Sequence, residues 1–136
     1  MGIFDLFQPP EVRAALATLE IEINAASSEG GLFLNSGFTL AAPAVRDSIR
    51  KNPGLVKAKI SGEKMAPRTL VYLLLVNHCG MEIDSGRYHS GFGGLLMPGT
   101  GLAAVWNRAA DELEKEGIWT ADDARQNRET FRNQCA

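Results

Sequence analysis

Thr69-Leu70-Val71-Tyr72-Leu73-Leu74-Leu75-Val76 is a run of eight residues without a charge, and its reading decides the fold. Periodicity does not settle it, because an apolar run of this length fits a buried strand and a buried helix equally well. The flanks do. Pro67 suits the first turn of a helix, where its missing N–H has no intrahelical partner to lose. Consecutive leucines keep most of their rotamer freedom in a helix. Cys79-Gly80 then offers a glycine able to take the left-handed conformation that closes many helices. Residues 67–79 are therefore expected to form a buried central helix, with Leu73 and Leu74 at the middle of the core. The run is too short to cross a membrane, which takes about 20 apolar residues in a helix.

Upstream, Pro9-Pro10 opens a helix whose apolar stripe is Val12, Leu16, Leu19, Ile23 and Ala26, one face of a 3.6-residue period. Ser27-Ser28-Glu29-Gly30-Gly31 ends it. Leu32-Phe33-Leu34 and Phe38-Thr39-Leu40 flank the turn residues Asn35-Ser36-Gly37, which is the pattern of a short β-hairpin, although an apolar loop packed on the helices fits it as well. Pro43 suits the start of a short helix through Val45 and Ile49. Val56-Lys57-Ala58-Lys59-Ile60 alternates apolar and charged residues, a strand period, with a helix almost equally compatible.

Downstream, glycines crowd residues 81–101 and point to a shaped loop. A helix opens near Gly99 or Thr100 with Leu102, Trp106, Ala109 and Leu113 inward and Asp111, Glu112, Glu114, Lys115 and Glu116 outward. Gly117 ends it, and Ile118 is placed to fold back as in a Schellman cap. Thr120 three residues before Asp123 reads as a capping box opening a last helix to about residue 133, anchored by Ala124 and Phe131. The expected fold class is mainly α: one domain over residues 1–136, four or five helices around the 67–79 helix, with a small β-hairpin as an addition and an α+β arrangement as the alternative.

One hundred and thirty-six residues suffice to bury a core without staples, and two cysteines do not make a disulfide scaffold. Reduced thiols and a cytoplasmic location are expected. The first residues, Met1-Gly2-Ile3-Phe4-Asp5-Leu6, match neither a secretion signal nor a myristoylation site, so no membrane association is expected. The net charge is −2, yet Arg46, Arg50, Lys51, Lys57, Lys59, Lys64 and Arg68 outnumber Asp47 and Glu63 within one stretch. That stretch holds no aromatic residue on which a base would stack, so nucleic acid is not the expected partner.

Specific chemistry is sparse. Gly99-Thr100-Gly101-Leu102-Ala103-Ala104 spells the dinucleotide fingerprint, but neither the preceding strand nor the later strand-ending acid is present, and no cofactor is expected. His78, Cys79, Asp84, His89 and Cys135 lack metal-ligand spacing, and His78 and Cys79 point about 100° apart on one helix, so no metal is expected. His78 is expected instead to cap carbonyls at the helix C-terminus. Neither Cys79 with His89 nor Ser90 beside His89 makes a triad, and no catalytic residue is assigned. The stretch from Asp84 to Gly94 remains, where Asp84, Arg87, Tyr88, His89, Ser90 and Phe92 combine donors, acceptors and aromatics as recognition loops do. A structural loop plugged by Tyr88 and Phe92 explains the same residues. The functional expectation is a small non-enzymatic binding or regulatory protein acting through protein–protein contacts, itself as a homo-oligomer included. The alternative is a small enzyme or ligand binder using loop 84–94.

Overall fold

Val12, Ala15, Leu19, Glu22 and Ala26 recur three and four residues apart, and all five turn inward along α1 (Pro10–Glu29). The computed structural model describes residues 8–29, 32–84 and 101–127. Among them every regular element is helical. Pro9 supplies the carbonyl that takes the first bonds of α1, from the N–H of Val12 at 3.0 Å and of Arg13 at 3.2 Å. Leu16 and Ile23, expected at the middle of the seam, pack at its edge, and Ala15 and Glu22 stand in their place.

The expected hairpin is absent: Leu32–Lys51 is one helix, α2, so the α+β alternative fails over these residues. Phe38, Ala41, Val45 and Ile49 are fully buried along one face, and that helical periodicity overrides the local turn chemistry of Asn35-Ser36-Gly37. Asn35 serves a different purpose, accepting from the Ser27 hydroxyl at 2.9 Å to tie α2 to α1. Pro43 lies inside α2 rather than at its start. It deprives the Thr39 carbonyl of its usual donor, at a place where Pro43 and Thr39 are both exposed to solvent.

The 56–60 segment is not a strand either. α3 (Pro53–Lys57) runs into a π-helical turn, Ala58–Gly62, closed by the Glu63 N–H on the Ala58 carbonyl at 2.9 Å. Residues four apart share a face in a strand and in a helix alike, so the position between them decides. Val56 is buried and Ile60 half-buried, whereas Ala58 is exposed, as a helix requires. Lys64 follows with φ of 59°, left-handed backbone that a residue with a Cβ seldom adopts.

α4 (Pro67–Asp84) is the central helix, packed against α1, α2 and α5. Leu70, Val71, Tyr72, Leu75 and Cys79 are fully buried along it, while Leu73 and Leu74 are half-buried at the edge of the core, which corrects their expected central place. The helix also continues through Gly80, expected as its stop. A helical glycine costs about 1 kcal/mol relative to alanine. Burying one Leu or Val is worth about 1.5–3 kcal/mol, so packing along α4 outweighs it.

α5 (Gly101–Lys115) buries Val105, Trp106, Ala109, Ala110 and Leu113 and forms its largest interface with α2. Gly117 has φ of 76°, its N–H bonds the Glu114 carbonyl at 3.1 Å, and the Ile118 N–H bonds the Leu113 carbonyl at 2.9 Å. Those two bonds are the Schellman cap. Thr120 and Asp123 form the expected capping box, N–H to carboxylate at 3.1 Å and N–H to hydroxyl at 3.0 Å. A last helix, α6, is described over residues 121–127 and buries Ala124. Phe131 lies outside the described residues.

Candidate functional site

Arg68 and Tyr72 stand one turn apart on α4, facing the gap where α1 and α5 approach it. Into that gap come two carboxylates. Glu22 occupies an inner position of α1 and is 7% exposed; Glu112, expected on the outer face of α5, is 9% exposed. A buried carboxylate without a partner is strongly destabilising, so each needs a counter-charge. Arg68 provides both, with Nε donating to Glu22 Oε1 at 3.1 Å and Nη1 to Glu112 Oε2 at 2.5 Å. Tyr72 Oη donates to the same Glu22 oxygen at 2.5 Å. Arg108 Nε stands 3.7 Å from the other Glu112 oxygen. The Arg68 guanidinium also lies 5.1 Å from the Tyr72 ring centroid, a cation–π contact.

The electrostatics follow from those bonds. The hydrogen bond from Arg68 holds the Glu112 carboxyl below its ordinary range, and the same bond raises Arg68. Burial, reinforced by the bond to Glu22, pushes the Tyr72 phenol up. At neutral pH Glu112 is therefore an anion and Tyr72 a fixed donor. Groups so far from titrating serve poorly as general acid or base, and the cluster acts as a clamp joining α1, α4 and α5.

A cleft of about 350 Å³ opens beside this clamp, between the turn that precedes α4 and the end of α5. Glu63, Lys64 and Met65 form one wall, Glu116 and Ile118 the other. Thr69, also in the lining, is only 6% exposed and forms the floor. Lys64 in its left-handed conformation makes the sharp entry into α4 on which this shape depends.

The basic stretch loses its apparent uniformity on folding. Arg46 pairs with Glu20 at 2.6 Å, Lys59 with Glu63 at 3.0 Å, and Arg68 is held in the clamp. Bonding to Glu20 raises Arg46. Acidic residues from α1 and α5 thus interleave the basic ones.

Of the residues singled out in the sequence, Asp84 is the last of α4, and its side chain lies outside the described set. Arg87, Tyr88, His89, Ser90 and Phe92 also lie outside the described residues, as do Gly99 and Thr100 of the fingerprint. His78 is half-buried and stands six residues before the end of α4, which runs on to Asp84, rather than at its last turn as expected. Cys79 is a fully buried free thiol. Among the described residues no three His, Cys, Asp or Glu side chains converge as metal ligands, and no helix is long and apolar enough to cross a membrane. Sequence reasoning missed the clamp. The available signal was Glu22, a charge spaced three and four residues from the seam residues Leu19 and Ala26. Comparison with protein-family models, curated proteins and solved structures finds no match.

Proposed function

We propose that this chain is a non-enzymatic binding or regulatory protein of the cytoplasm that works through protein–protein contacts, with a second copy of itself among the candidate partners. The observation that carries this reading is Ile21, which is 62% exposed on α1. Its exposed neighbours on that face, Ala17, Asn24 and Ser28, carry no charge. A solvated helix face ordinarily displays charged residues, and an uncharged strip centred on a large aliphatic side chain suits burial against a partner. The clamp supports the same reading, since Glu22, Arg68 and Glu112 spend their bonding capacity on one another.

The test compares the chain with an Ile21→Glu variant, both confirmed as folded by far-UV circular dichroism. Light scattering after size exclusion reads self-association, and cross-linking in cells followed by mass spectrometry reads other partners. The expected result is an association, with itself or another protein, that the wild-type chain makes and the variant loses. Identical behaviour of the two chains overturns the reading.

A further inference from the structure

Residues 53–66, which connect α2 to α4, are held to the rest of the molecule by few contacts. Each of the long helices α1, α2, α4 and α5 buries at least four apolar side chains, whereas this segment buries Val56 alone. Ile60 and Met65 are half-buried against the same core, and the π-helical turn Ala58–Gly62 has no buried residue. The backbone hydrogen bonds here are local, the Met65 N–H to the Lys59 carbonyl at 3.0 Å among them, and the ion pair of Lys59 with Glu63 is internal. Among the described residues one side-chain hydrogen bond leaves the segment: Ser61 Oγ donates to Glu11 Oε2 on α1 at 2.5 Å. That bond holds the Glu11 carboxyl below its ordinary range, and Lys57 adds to the effect.

Both ends of the segment are breaks in helical backbone. Asn52 has φ of −126° and ψ of 57°, since the residue before a proline tends to leave the helical region, and residues 64–66 lie outside any helix before Pro67. Rotation at these two points leaves the helical bonds within α2 and α4 intact. At the second break Lys64 is held with φ of 59°, a strained conformation for a residue with a Cβ, and release of the segment relaxes it. Few buried apolar contacts and solvent-exposed hydrogen bonds are the marks of a unit that opens below the free energy of global unfolding. We infer that residues 53–66 are a hinged strap that lifts as one unit from a core that stays folded, with Val56 as its anchor and the Ser61–Glu11 bond as its latch. Lifting uncovers the faces of α1 and α2 on which α3 rests, so the latch governs access to them. This device is independent of the protein contact proposed through Ile21.

The experiment is native-state hydrogen–deuterium exchange of the full chain, read amide by amide by two-dimensional NMR. In the wild-type chain the amides from Val56 to Met65 are expected to exchange at least about tenfold faster than those from Leu70 to Val76, since they need not await global unfolding. Ser61→Ala, a change at an exposed position, removes the latch and should speed exchange about threefold over the whole span from Val56 to Met65. Val105→Ala on α5, which packs on α2 and α4, weakens the core that the closed and lifted states share. It should speed exchange of Leu70 to Val76 about tenfold and leave Val56 to Met65 unchanged. Exchange of Val56 to Met65 no faster than that of Leu70 to Val76 overturns the inference. So does an equal effect of Val105→Ala on both spans, or a Ser61→Ala effect confined to residues 58–62. The wild-type comparison and the Ser61→Ala result hold even if Val105→Ala fails to fold.

Discussion

Tyr72 on α4 and Glu22 on α1, fifty positions apart in sequence, are joined by a hydrogen bond of 2.5 Å between phenol and carboxylate. The acceptor, Glu22 Oε1, also takes the bond from Arg68 Nε, so one oxygen serves two donors. Tyr72→Phe removes one donor and leaves the charge pair in place. The expected cost is about 1.5–3 kcal/mol, the worth of a hydrogen bond to a charged group, read from urea unfolding followed by far-UV circular dichroism. An unchanged midpoint would show that Arg68 alone meets the needs of Glu22.

Arg68→Met is expected to cost more, because it strips the principal counter-charge from two buried carboxylates at once. Its side chain is 38% exposed, which places the loss at the lower end for a broken buried pair, about 3 kcal/mol. The double variant Arg68→Met with Glu112→Gln should recover part of that loss, since it removes one of the two stranded charges. A double variant no more stable than the single one contradicts the geometry of the clamp.

Acid is expected to open the same clamp. The Arg68 hydrogen bond lowers the Glu112 carboxyl from its usual value of 4.5, so the unfolded chain binds a proton at Glu112 more readily than the folded one. The stability this contributes is fully present above 4.5 and is lost as the pH falls through the folded value. Unfolding midpoints measured from pH 7 downward should therefore decline more gently below that point in Glu112→Gln than in the wild-type chain. Parallel profiles for the two proteins would exclude a role for this carboxylate in acid sensitivity.

Leu70→Ala and Leu75→Ala are expected to cost about 2–5 kcal/mol each, through lost burial and the cavity left behind. Leu73→Ala and Leu74→Ala, at half-buried positions, should each cost less than either. The contrast reads out which face of the eight-residue apolar run is innermost, which its composition conceals. Equal losses at all four positions would contradict the rotation of α4 described above.

Gly117→Ala and Gly54→Ala are expected to move stability in opposite directions. Neither new methyl group would meet another atom within 4 Å, so packing is not at issue. Gly117 has φ of 76°, where alanine is strained by about 1–2 kcal/mol. Gly54 lies within α3 at negative φ, where alanine restricts the unfolded chain and gains about 0.4–1 kcal/mol. Thermal midpoints of the two variants on either side of the wild type would confirm the difference; a shared direction would contradict it.

What the sequence revealed and what it hid follow the range of the interactions involved. The α1 seam, the Schellman turn at Gly117 and the capping box at Thr120 rest on neighbours within one or two turns, and all three are legible locally. The hairpin expected over residues 32–40 failed because Asn35-Ser36-Gly37 carries turn chemistry, while the helix is decided by Phe38, Ala41, Val45 and Ile49 docking on other helices. Glu112 read as solvent-facing because a carboxylate among acidic neighbours usually is. Its partner Arg68 lies 44 residues earlier, beyond any local pattern. The cleft is assembled from the ends of α4 and α5 and was likewise invisible. The loop from Asp84 to Gly94, which composition offers equally as a recognition surface or a structural loop, lies beyond Asp84 outside the described residues.

The tryptophan pair fixes what optical measurements on this protein observe. The chain has two tryptophans, and Trp106 and Trp119 sit with ring centroids 6.0 Å apart and planes inclined at 51°, on either side of the Gly117 turn. Transition dipoles this close couple, and energy absorbed by one ring is shared with the other before emission. Intrinsic fluorescence therefore reports on the corner where α5 turns toward α6, while far-UV circular dichroism averages over every helix. A partial opening of that corner would alter the emission with the helical signal almost unchanged, so divergence between the two signals would identify the corner as a separately unfolding unit.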